Sequence, residues 1–360
     1  MLVSRVERVI WKWEPMSAEL IVNWSKGVGP SGAALSGDAL SELLAELRPT
    51  SWITGPRRFA GPFSIACPGV PAGLFTVSTG RMLVRHPPDA TPVEVKIGEV
   101  VVVVGGETVV LCDHMQTPVR RLERVLTREQ IRSRRPVTIG QGETMVEFIG
   151  AAMRFDPGAS GVLLASLPSV FVVRDEDDGE LTSAVSMLRA YASDASAGSQ
   201  AFLNCVVNAI FVESIRRHLS TAPPERGVLR ASSDEQIGPV VALIHAAPAE
   251  PWDIGRLARE AGLARSTFCE RFRALVGEPP AGYLRTVRLR RAASLLRTTG
   301  LDLSAIASRV GYQSQGALGT AFKNWSGQTP GEYRHATRSS HGLRPGDDPS
   351  VYTKAITPSD

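Results

Sequence analysis

Two ten-residue segments decide the fold of the C-terminal part of this chain: DIGRLAREAG at 253–262 and DLSAIASRVG at 302–311. Each begins with an aspartate, has an apolar residue followed by alanine one turn later, and ends in glycine. Aspartate accepts hydrogen bonds from the first free amides of a helix, and glycine commonly follows the last turn of one. Each segment therefore predicts a short helix that ends at a turn.

The similarity continues past each turn. Phe268 and Phe272 lie four residues apart, as do Leu318 and Phe322, so a second helix with one buried face should follow each turn. Four residues recur at an offset of fifty: Phe272, Gly277, Pro280 and Tyr283 match Phe322, Gly327, Pro330 and Tyr333. The sequence thus predicts a duplicated helix-turn-helix unit, whose second helix suits the major groove of DNA.

One long helix is predicted between the two copies. Pro280 stands near its first turn, and Leu289, Ala292, Ala293 and Leu296 lie along one face. Such a helix would hold both units at a fixed separation. If that separation is close to one turn of DNA, both second helices can reach successive major grooves from one side.

Residues 234–334 resemble the DNA-binding domain of the AraC/XylS family of bacterial transcriptional regulators. The matching segments include GLARSTFCERFRALVG at 262–277, Tyr283-Leu284, Arg288–Leu296, GYQS at 311–314 and PGEY at 330–333. The resemblance implies binding to promoter DNA and either recruitment or blocking of RNA polymerase. The second helix of the second copy departs from the family, which commonly has larger polar residues at the positions of Gly316 and Gly319.

Short apolar segments separated by Gly and Pro predict strands in the N-terminal half: 63–67, 74–78, 82–85, 93–97, 100–104 and 108–112, with 144–155 and 162–173 as further candidates. Helical spacing follows at about 180–192 and 200–219. This half is similar, more loosely, to the cupin-like ligand-binding domain of one branch of the same family. We expect an α+β chain: a cupin-like β-barrel with appended helices that serve dimerisation, then an all-α double helix-turn-helix domain.

Composition places the boundaries between these parts. A Gly/Ser-rich stretch suggests a flexible extension at 1–37, and the Pro-Pro and Gly of 220–227 suggest a linker. The predicted domains are then a sensor or dimerisation domain at 38–219, a linker at 220–233, a DNA-binding domain at 234–338 and a disordered tail at 339–360. Met16 is an alternative start.

Bulk properties exclude several classes of protein. Hydrophobic residues make up 43% and charged residues 21% of the 360 residues, which is ordinary for a globular protein. The four cysteines are scattered singly, and no stretch has the length of a membrane span, so we expect a cytoplasmic protein without a membrane partner. Residues 230–338 carry 15 Lys and Arg against 9 Asp and Glu, which suits contact with phosphates.

The residues expected to contact DNA face away from the buried positions of the two second helices. They are Arg265, Ser266, Cys269, Glu270 and Arg273 in the first copy, and Gln315, Thr320 and Lys323 in the second. Arginine can bind guanine or phosphate, serine either, and glutamate the amino group of cytosine. Glu270 and Arg273 are equally well interpreted as solvated surface charges. We expect the first copy to supply most base discrimination and the second to bind phosphates.

Three functions remain open: a regulator controlled by a small-molecule effector, a constitutive regulator whose first domain only dimerises, and a metal-dependent cupin enzyme fused to a DNA-binding module. The third needs clustered metal ligands, and the N-terminal half offers only His86, His114 and His218, with no HxH pair. His245 is interpreted as structural. The sequence therefore predicts no enzyme activity, no metal and no cofactor, with DNA, RNA polymerase, a second copy of the chain and an effector as partners.

Overall fold

The structure is a computed structural model that describes residues 38–340 apart from 46, 48, 87–90, 143–144, 156–159 and 175–178. The expectations for 1–37 and 341–360 lie outside these residues. The described strands are β1 Thr50–Ile53, β2 Arg57–Ala60, β3 Ser64–Cys67, β4 Ala72–Thr79, β5 Met82–Arg85, β6 Val93–Val95, β7 Val100–Val104, β8 Val109–Cys112, β9 Arg120–Arg121, β10 Val137–Gly140, β11 Met145–Arg154 and β12 Val170–Val173.

The strands form two mainly antiparallel sheets. The larger sheet has the order β10-β2-β11-β4-β7-β12, with β1 also paired to β11. The smaller sheet has the order β6-β5-β8-β3-β9. The parallel pairs are β10 with β2 and β9 with β3.

Strand β7 shows how the layers are arranged. Its five valines are all buried. Val101 and Val103 belong to the apolar core that also holds Met82 and Leu111 of the smaller sheet. Val100, Val102 and Val104 point to the opposite face, where helices cover the larger sheet. Because side chains alternate along a strand, a strand covered on both faces is continuously apolar.

The described strands do not close into a barrel, and the β domain consists of two sheets with a core between them. The predicted α+β class is confirmed, with an N-terminal β domain, appended helices and a helical C-terminal domain. The sequence pattern does not predict β1, β2, β9 and β10, which are short. It also treats 162–173 as one stretch, where a helix at Ser160–Ala165 precedes β12.

The described helices are α1 Ala39–Ala45, α2 Leu122–Val125, α3 Arg128–Arg132, α4 Ser160–Ala165, α5 Glu180–Tyr191, α6 Ser199–Thr221, α7 Val228–Ser232, α8 Ile237–Ala246, α9 Ile254–Glu260, α10 Arg265–Val276, α11 Pro280–Thr298, α12 Leu303–Arg309, α13 Gln315–Ser326 and α14 Pro330–Ser340. None of these helices is long and apolar enough to cross a membrane.

One apolar core runs from the larger sheet into the first helix-turn-helix unit. It includes Leu74 of β4, Ile210 of α6, Val240 of α8 and Phe272 of α10. A separate core serves the second unit and includes Ala293 of α11 and Phe322 of α13. The first unit is therefore packed against the rest of the chain, whereas the second has a core of its own.

The segment predicted as a linker contains a buried helix. Val228, Leu229 and Ala231 of α7 are all at most 1% exposed. Gly227, just before α7, has φ +105° and donates its amide to the carbonyl of Leu275 at 2.8 Å. The end of α10 is thereby hydrogen-bonded to the chain that leaves the N-terminal domain. The predicted domain boundaries themselves stay predictions.

Candidate nucleic-acid interface

The first helix of each unit begins at an aspartate that caps it. The carboxylate of Asp253 accepts the amide of Arg256 at 2.9 Å, and that of Asp302 accepts the amide of Ala305 at 2.7 Å. The hydrogen bond from the Arg256 amide lowers the pKa of Asp253 below its ordinary value. Both helices end at the glycines that the repeat singled out, Gly262 with φ +64° and Gly311 with φ +79°.

The second helix of each unit buries the residues that the repeat predicts. Phe268 and Phe272 of α10 are fully buried, as are Leu318 and Phe322 of α13. The ring of Phe272 meets that of Tyr283 edge-on at 5.6 Å, and the ring of Phe322 meets Tyr333 in the same way at 5.3 Å. The duplicated sequence is thus a duplicated packing arrangement.

The opposite faces of α10 and α13 are exposed. The two helices expose seven of the eight residues proposed to contact DNA: Arg265, Ser266, Glu270, Arg273, Gln315, Thr320 and Lys323. Cys269 is half-buried and packs against the core of the first unit, so its side chain is only partly exposed to solvent. The structure thus leaves seven of the eight residues exposed on α10 and α13.

Arg265 does not extend away from the first unit. A Cβ added at Gly255 of α9 would lie 2.5 Å from the Arg265 Nη2, so the guanidinium of Arg265 packs against the backbone of α9. It also lies close enough to Asp253 to help lower the pKa of that carboxylate, after the larger effect of the Arg256 amide.

The two exposed helices begin differently. Ser314 accepts the amide of Ala317 at 3.1 Å, whereas Ala264 makes no capping bond. Neither Gly316 nor Gly319 is sterically required, since a Cβ there would meet nothing closer than the Ser314 hydroxyl at 3.9 Å. The exposed face of α13 therefore has room for larger side chains that the sequence does not supply.

Two exposed, uncharged polar residues lie on the same helices but outside the predicted set. Thr267 follows Ser266 in α10, and Asn324 follows Lys323 in α13. Both are polar residues next to a predicted contact and away from the buried positions. This position beside a predicted contact is the sequence feature that would place Thr267 and Asn324 among the candidate DNA contacts.

The connecting helix α11 fixes one unit to the other. Its Arg288 donates to the carbonyls of Pro248 at 2.7 Å and Glu250 at 2.8 Å, in the loop before the first unit. A Cβ at Gly311, in the turn of the second unit, would lie 2.9 Å from the carbonyl oxygen of Ala249 in that same loop. Burial lowers the pKa of Arg288.

Polar contacts also hold the first unit to α8. Arg271 of α10 pairs with Asp234 at 2.9 Å, and the other oxygen of Asp234 accepts the amide of Ile237 at 3.0 Å. His245 lies 2.7 Å from the hydroxyl of the buried Tyr283, which agrees with its interpretation as structural. The base of α10 is thus fixed by an ion pair as well as by apolar packing.

The N-terminal domain holds an apolar cavity of about 120 Å³. Its walls come from both sheets and from α2 and α3, and include Trp52, Phe75, Leu111, Leu122 and Phe148. The buried Arg57 also lines it. Among the described residues, no group of three His, Cys, Asp or Glu could hold a metal ion. His86 is buried with its Nε2 2.7 Å from the carbonyl oxygen of Val104.

Comparison with known proteins matches both halves of the chain. The family described as Cupin matches residues 38–220, and the family described as Helix-turn-helix domain matches 257–336. The HTH-type transcriptional regulator AlkR of Acinetobacter baylyi is 34% identical over 137 residues, which are 38% of this chain and 45% of AlkR. The chain thus spans less than half the length of AlkR.

Two further proteins are similar to parts of this chain. A putative AraC-like transcription regulator of Streptomyces antibioticus is 28% identical over 301 residues, 82% of this chain and 98% of that protein. The crystal structure of the DNA-binding domain of AdpA in complex with a target DNA is 33% identical. That match covers 31% of this chain and 100% of the AdpA chain, with a TM-score of 0.29.

Proposed function

We propose that this chain reads promoter DNA with α10 and α13 and couples this binding to a small-molecule effector. The premise is that the chain belongs to the AraC-type transcriptional regulators that carry a cupin domain. The observation that carries the proposal is the pair of like-built units on one connecting helix. Each unit buries two apolar residues four positions apart on its second helix and leaves polar residues of that helix exposed. Two such faces at a fixed separation suit successive major grooves.

The experiment is selection of binding sites from a pool of random duplexes with the purified full chain. We expect an enriched motif of two elements whose centres lie roughly 10 base pairs apart, one turn of DNA. The matched control is Arg81→Ala, an exposed arginine of the N-terminal domain, which should enrich the same motif. Sequences recovered without any common motif would contradict the proposal.

The cavity of the N-terminal domain supports the effector half of the proposal. Its walls are mostly apolar, and its volume of about 120 Å³ is similar to that of apolar cavities that hold one benzene molecule. The effector we propose is therefore a small apolar molecule. Thermal unfolding with a panel of such compounds tests this, since a ligand at a hundred times its Kd adds about 2.7 kcal/mol of stability. The filling variant Val70→Trp should abolish the shift, and absence of any shift would favour a constitutive regulator.

An exposed apolar cluster supports the proposed dimer. Met187 and Tyr191 of α5 and Phe202 of α6 are 40–50% exposed, and the rings of Tyr191 and Phe202 lie 4.8 Å apart. Exposed apolar patches commonly mark contact surfaces. Sedimentation of the wild type and of Phe202→Arg measures the oligomeric state, and we expect a dimer only for the wild type.

The remaining parts of the proposal concern partners and place in the cell. AlkR and the Streptomyces antibioticus protein are named transcription regulators, which supports a protein without enzyme activity. We propose RNA polymerase as a partner at the promoter and the cytoplasm as the compartment. Metal analysis of the purified protein tests the alternative of a metal-dependent enzyme.

A further inference from the structure

A second basic surface lies on the N-terminal domain. Residues 120–135 carry seven arginines and two glutamates, a net charge of +5, whereas the rest of 38–219 carries 11 basic and 18 acidic residues. These residues form β9, α2, α3 and the loop that follows α3. We call this stretch the arginine segment.

Most of the charge of the arginine segment is exposed. Its exposed arginines are Arg120, Arg121, Arg124, Arg128, Arg132 and Arg135. In the part of the chain that the structure describes, none of the six makes an ion pair. Of the five exposed arginines elsewhere in the described part of the domain, four do: Arg58 with Glu147, Arg81 with Glu94, Arg174 with Glu99, and Arg216 with Glu213. The arginine segment is therefore an exception in its own domain.

The buried Arg57 fixes the backbone of the arginine segment through hydrogen bonds. Arg57 Nη2 donates to the carbonyls of Gln130 and Ser133, both at 2.8 Å, and Nη1 donates to the carbonyl of Arg135 at 3.1 Å. Leu122 and Leu126 turn inward toward the cavity. The exposed guanidinium groups thus project from an ordered base, which reduces the entropy lost when they bind a ligand.

Arg57 adds a further positive charge beneath this surface. Burial lowers the pKa of Arg57 to about 10, which still leaves it protonated at neutral pH. Like charges gathered this closely repel one another and raise the free energy of the free protein. A polyanion that neutralises them would remove this repulsion and release its own counterions.

We propose that the arginine segment binds the phosphate backbone of DNA flanking the site that α10 and α13 read. This inference rests on the proposed function, which brings the chain to DNA. All basic residues of the segment are arginines, whose planar guanidinium groups can hold a phosphate with two parallel hydrogen bonds. Phosphate contacts carry no base information, so the segment adds affinity and orientation without altering the motif.

A membrane surface fits the arginine segment less well. Interfacial binding to lipid needs apolar side chains that enter the acyl region. Leu126 is buried, and Leu122, Val125 and Ile131 are half-buried toward the protein interior. The segment itself therefore offers guanidinium groups to a ligand and little apolar surface.

The experiment measures binding of the full chain to two duplexes that contain the same selected site. One duplex has about 20 base pairs, and the other has in addition about two helical turns of flanking sequence on each side. The test variant is Arg124→Gln/Arg128→Gln/Arg132→Gln, and the matched control is Arg58→Gln/Arg81→Gln/Arg174→Gln. A third variant replaces the same three arginines of the segment by lysine, which keeps the charge.

We expect the test variant to bind the long duplex at least tenfold more weakly than the wild type, with a slope of log K against log salt smaller by roughly 2 to 3. The short duplex should bind all variants equally, and the lysine variant should keep most of the slope. Equal melting temperatures of test and control variants show that the fold is intact.

Equal affinity of the test and control variants for the long duplex would overturn the inference and leave the proposed function standing. Failure of the wild type to bind the short duplex would contradict the proposed function itself. Binding to phosphatidylglycerol vesicles that the test variant loses, with unchanged DNA binding, would assign the segment to a membrane and overturn the inference.

Discussion

Individual residues make the two exposed helix faces unequal. The face of α10 offers charged and hydroxyl groups, among them Arg265, Ser266 and Glu270. The face of α13 carries Gly316 and Gly319, each of which costs roughly 1 kcal/mol of helix propensity relative to alanine. The glycines do not relieve any steric contact in the free protein. This difference supports a first copy that reads bases and a second that binds phosphates.

Substitution of Arg265 should flatten the base preference, and substitution of Lys323 should weaken binding to all sequences alike. A guanidinium in the major groove discriminates bases by about 1 to 3 kcal/mol, whereas an ammonium on a phosphate does not discriminate. Sequencing of duplexes bound by Arg265→Ala and Lys323→Ala measures both effects. The opposite pattern would contradict the division between the two copies.

Asp234 predicts a dependence of stability on pH. Burial of this carboxyl opposes ionisation, but the hydrogen bonds from Arg271 and from two amides outweigh it and lower the pKa. A lowered pKa stabilises the fold above the ordinary value of about 3.9. The contribution disappears as the pH falls through the lowered value. The difference in unfolding free energy between wild type and Asp234→Asn should therefore shrink below about pH 4, as measured by denaturant titration.

A difference that stays constant from neutral to acid pH would show that the carboxylate charge is not what stabilises this contact. The control is Asp113→Asn, because Asp113 accepts hydrogen bonds from the amide of His114 and the hydroxyl of Thr117, which are close to it in sequence.

Among the elements, the turns show how the two units are fixed to each other. Helices α9 and α12 are 49 residues apart, whereas α10 and α13 are 50 apart, so the second turn is one residue longer. Ser314 stands at the capping position of α13, where α10 has Ala264. Gly311 in this turn approaches the loop that Arg288 holds. The turn is thus part of the contact between the units.

Gly311→Ala should disturb the protein more than Gly262→Ala. Both glycines have positive φ, where alanine costs about 1 kcal/mol or more. Only at Gly311 would the new Cβ also meet backbone, 2.9 Å from the Ala249 carbonyl oxygen, while nothing lies within 4 Å of the one at Gly262. Gly311→Ala should lower the melting temperature further and change the preferred spacing of the two DNA elements. Identical effects of the two variants would show that this approach does not fix the units.

Across the whole molecule, the two cores divide the chain differently from the repeat. The first unit shares its core with α1, α6, α7 and α8 and through them with the larger sheet. The second unit has its own core, built on the far half of α11. A change in the N-terminal domain can therefore reach the first unit through continuous packing.

Two equivalent core substitutions test this difference. Phe272→Ala and Phe322→Ala each remove a fully buried ring and should cost about 3 to 5 kcal/mol locally. By hydrogen exchange, Phe322→Ala should raise exchange only within residues 289–333. Phe272→Ala should also raise it in α6 and α8. Confinement of the Phe272→Ala effect to α9 and α10 would contradict a shared core.

The sequence by itself determined the duplicated units, the family and the exposed helix faces, because capping, turn and packing signals recur at a fixed offset within each local segment. The α+β class and the family that the sequence predicted are confirmed. The contacts proposed for single residues, Arg265 to Lys323, stay predictions. Local patterns carry this information because a helix is specified by residues within a few turns of each other.

Only the tertiary structure decided how the pieces meet. Four features join residues far apart in the chain. They are the open pair of sheets, the buried α7 where a linker was expected, the hydrogen bonds from Arg57 to the arginine segment, and the contact of the Arg265 guanidinium with Gly255. Such contacts leave no periodic trace in the sequence, because each depends on the packing of many other side chains at once.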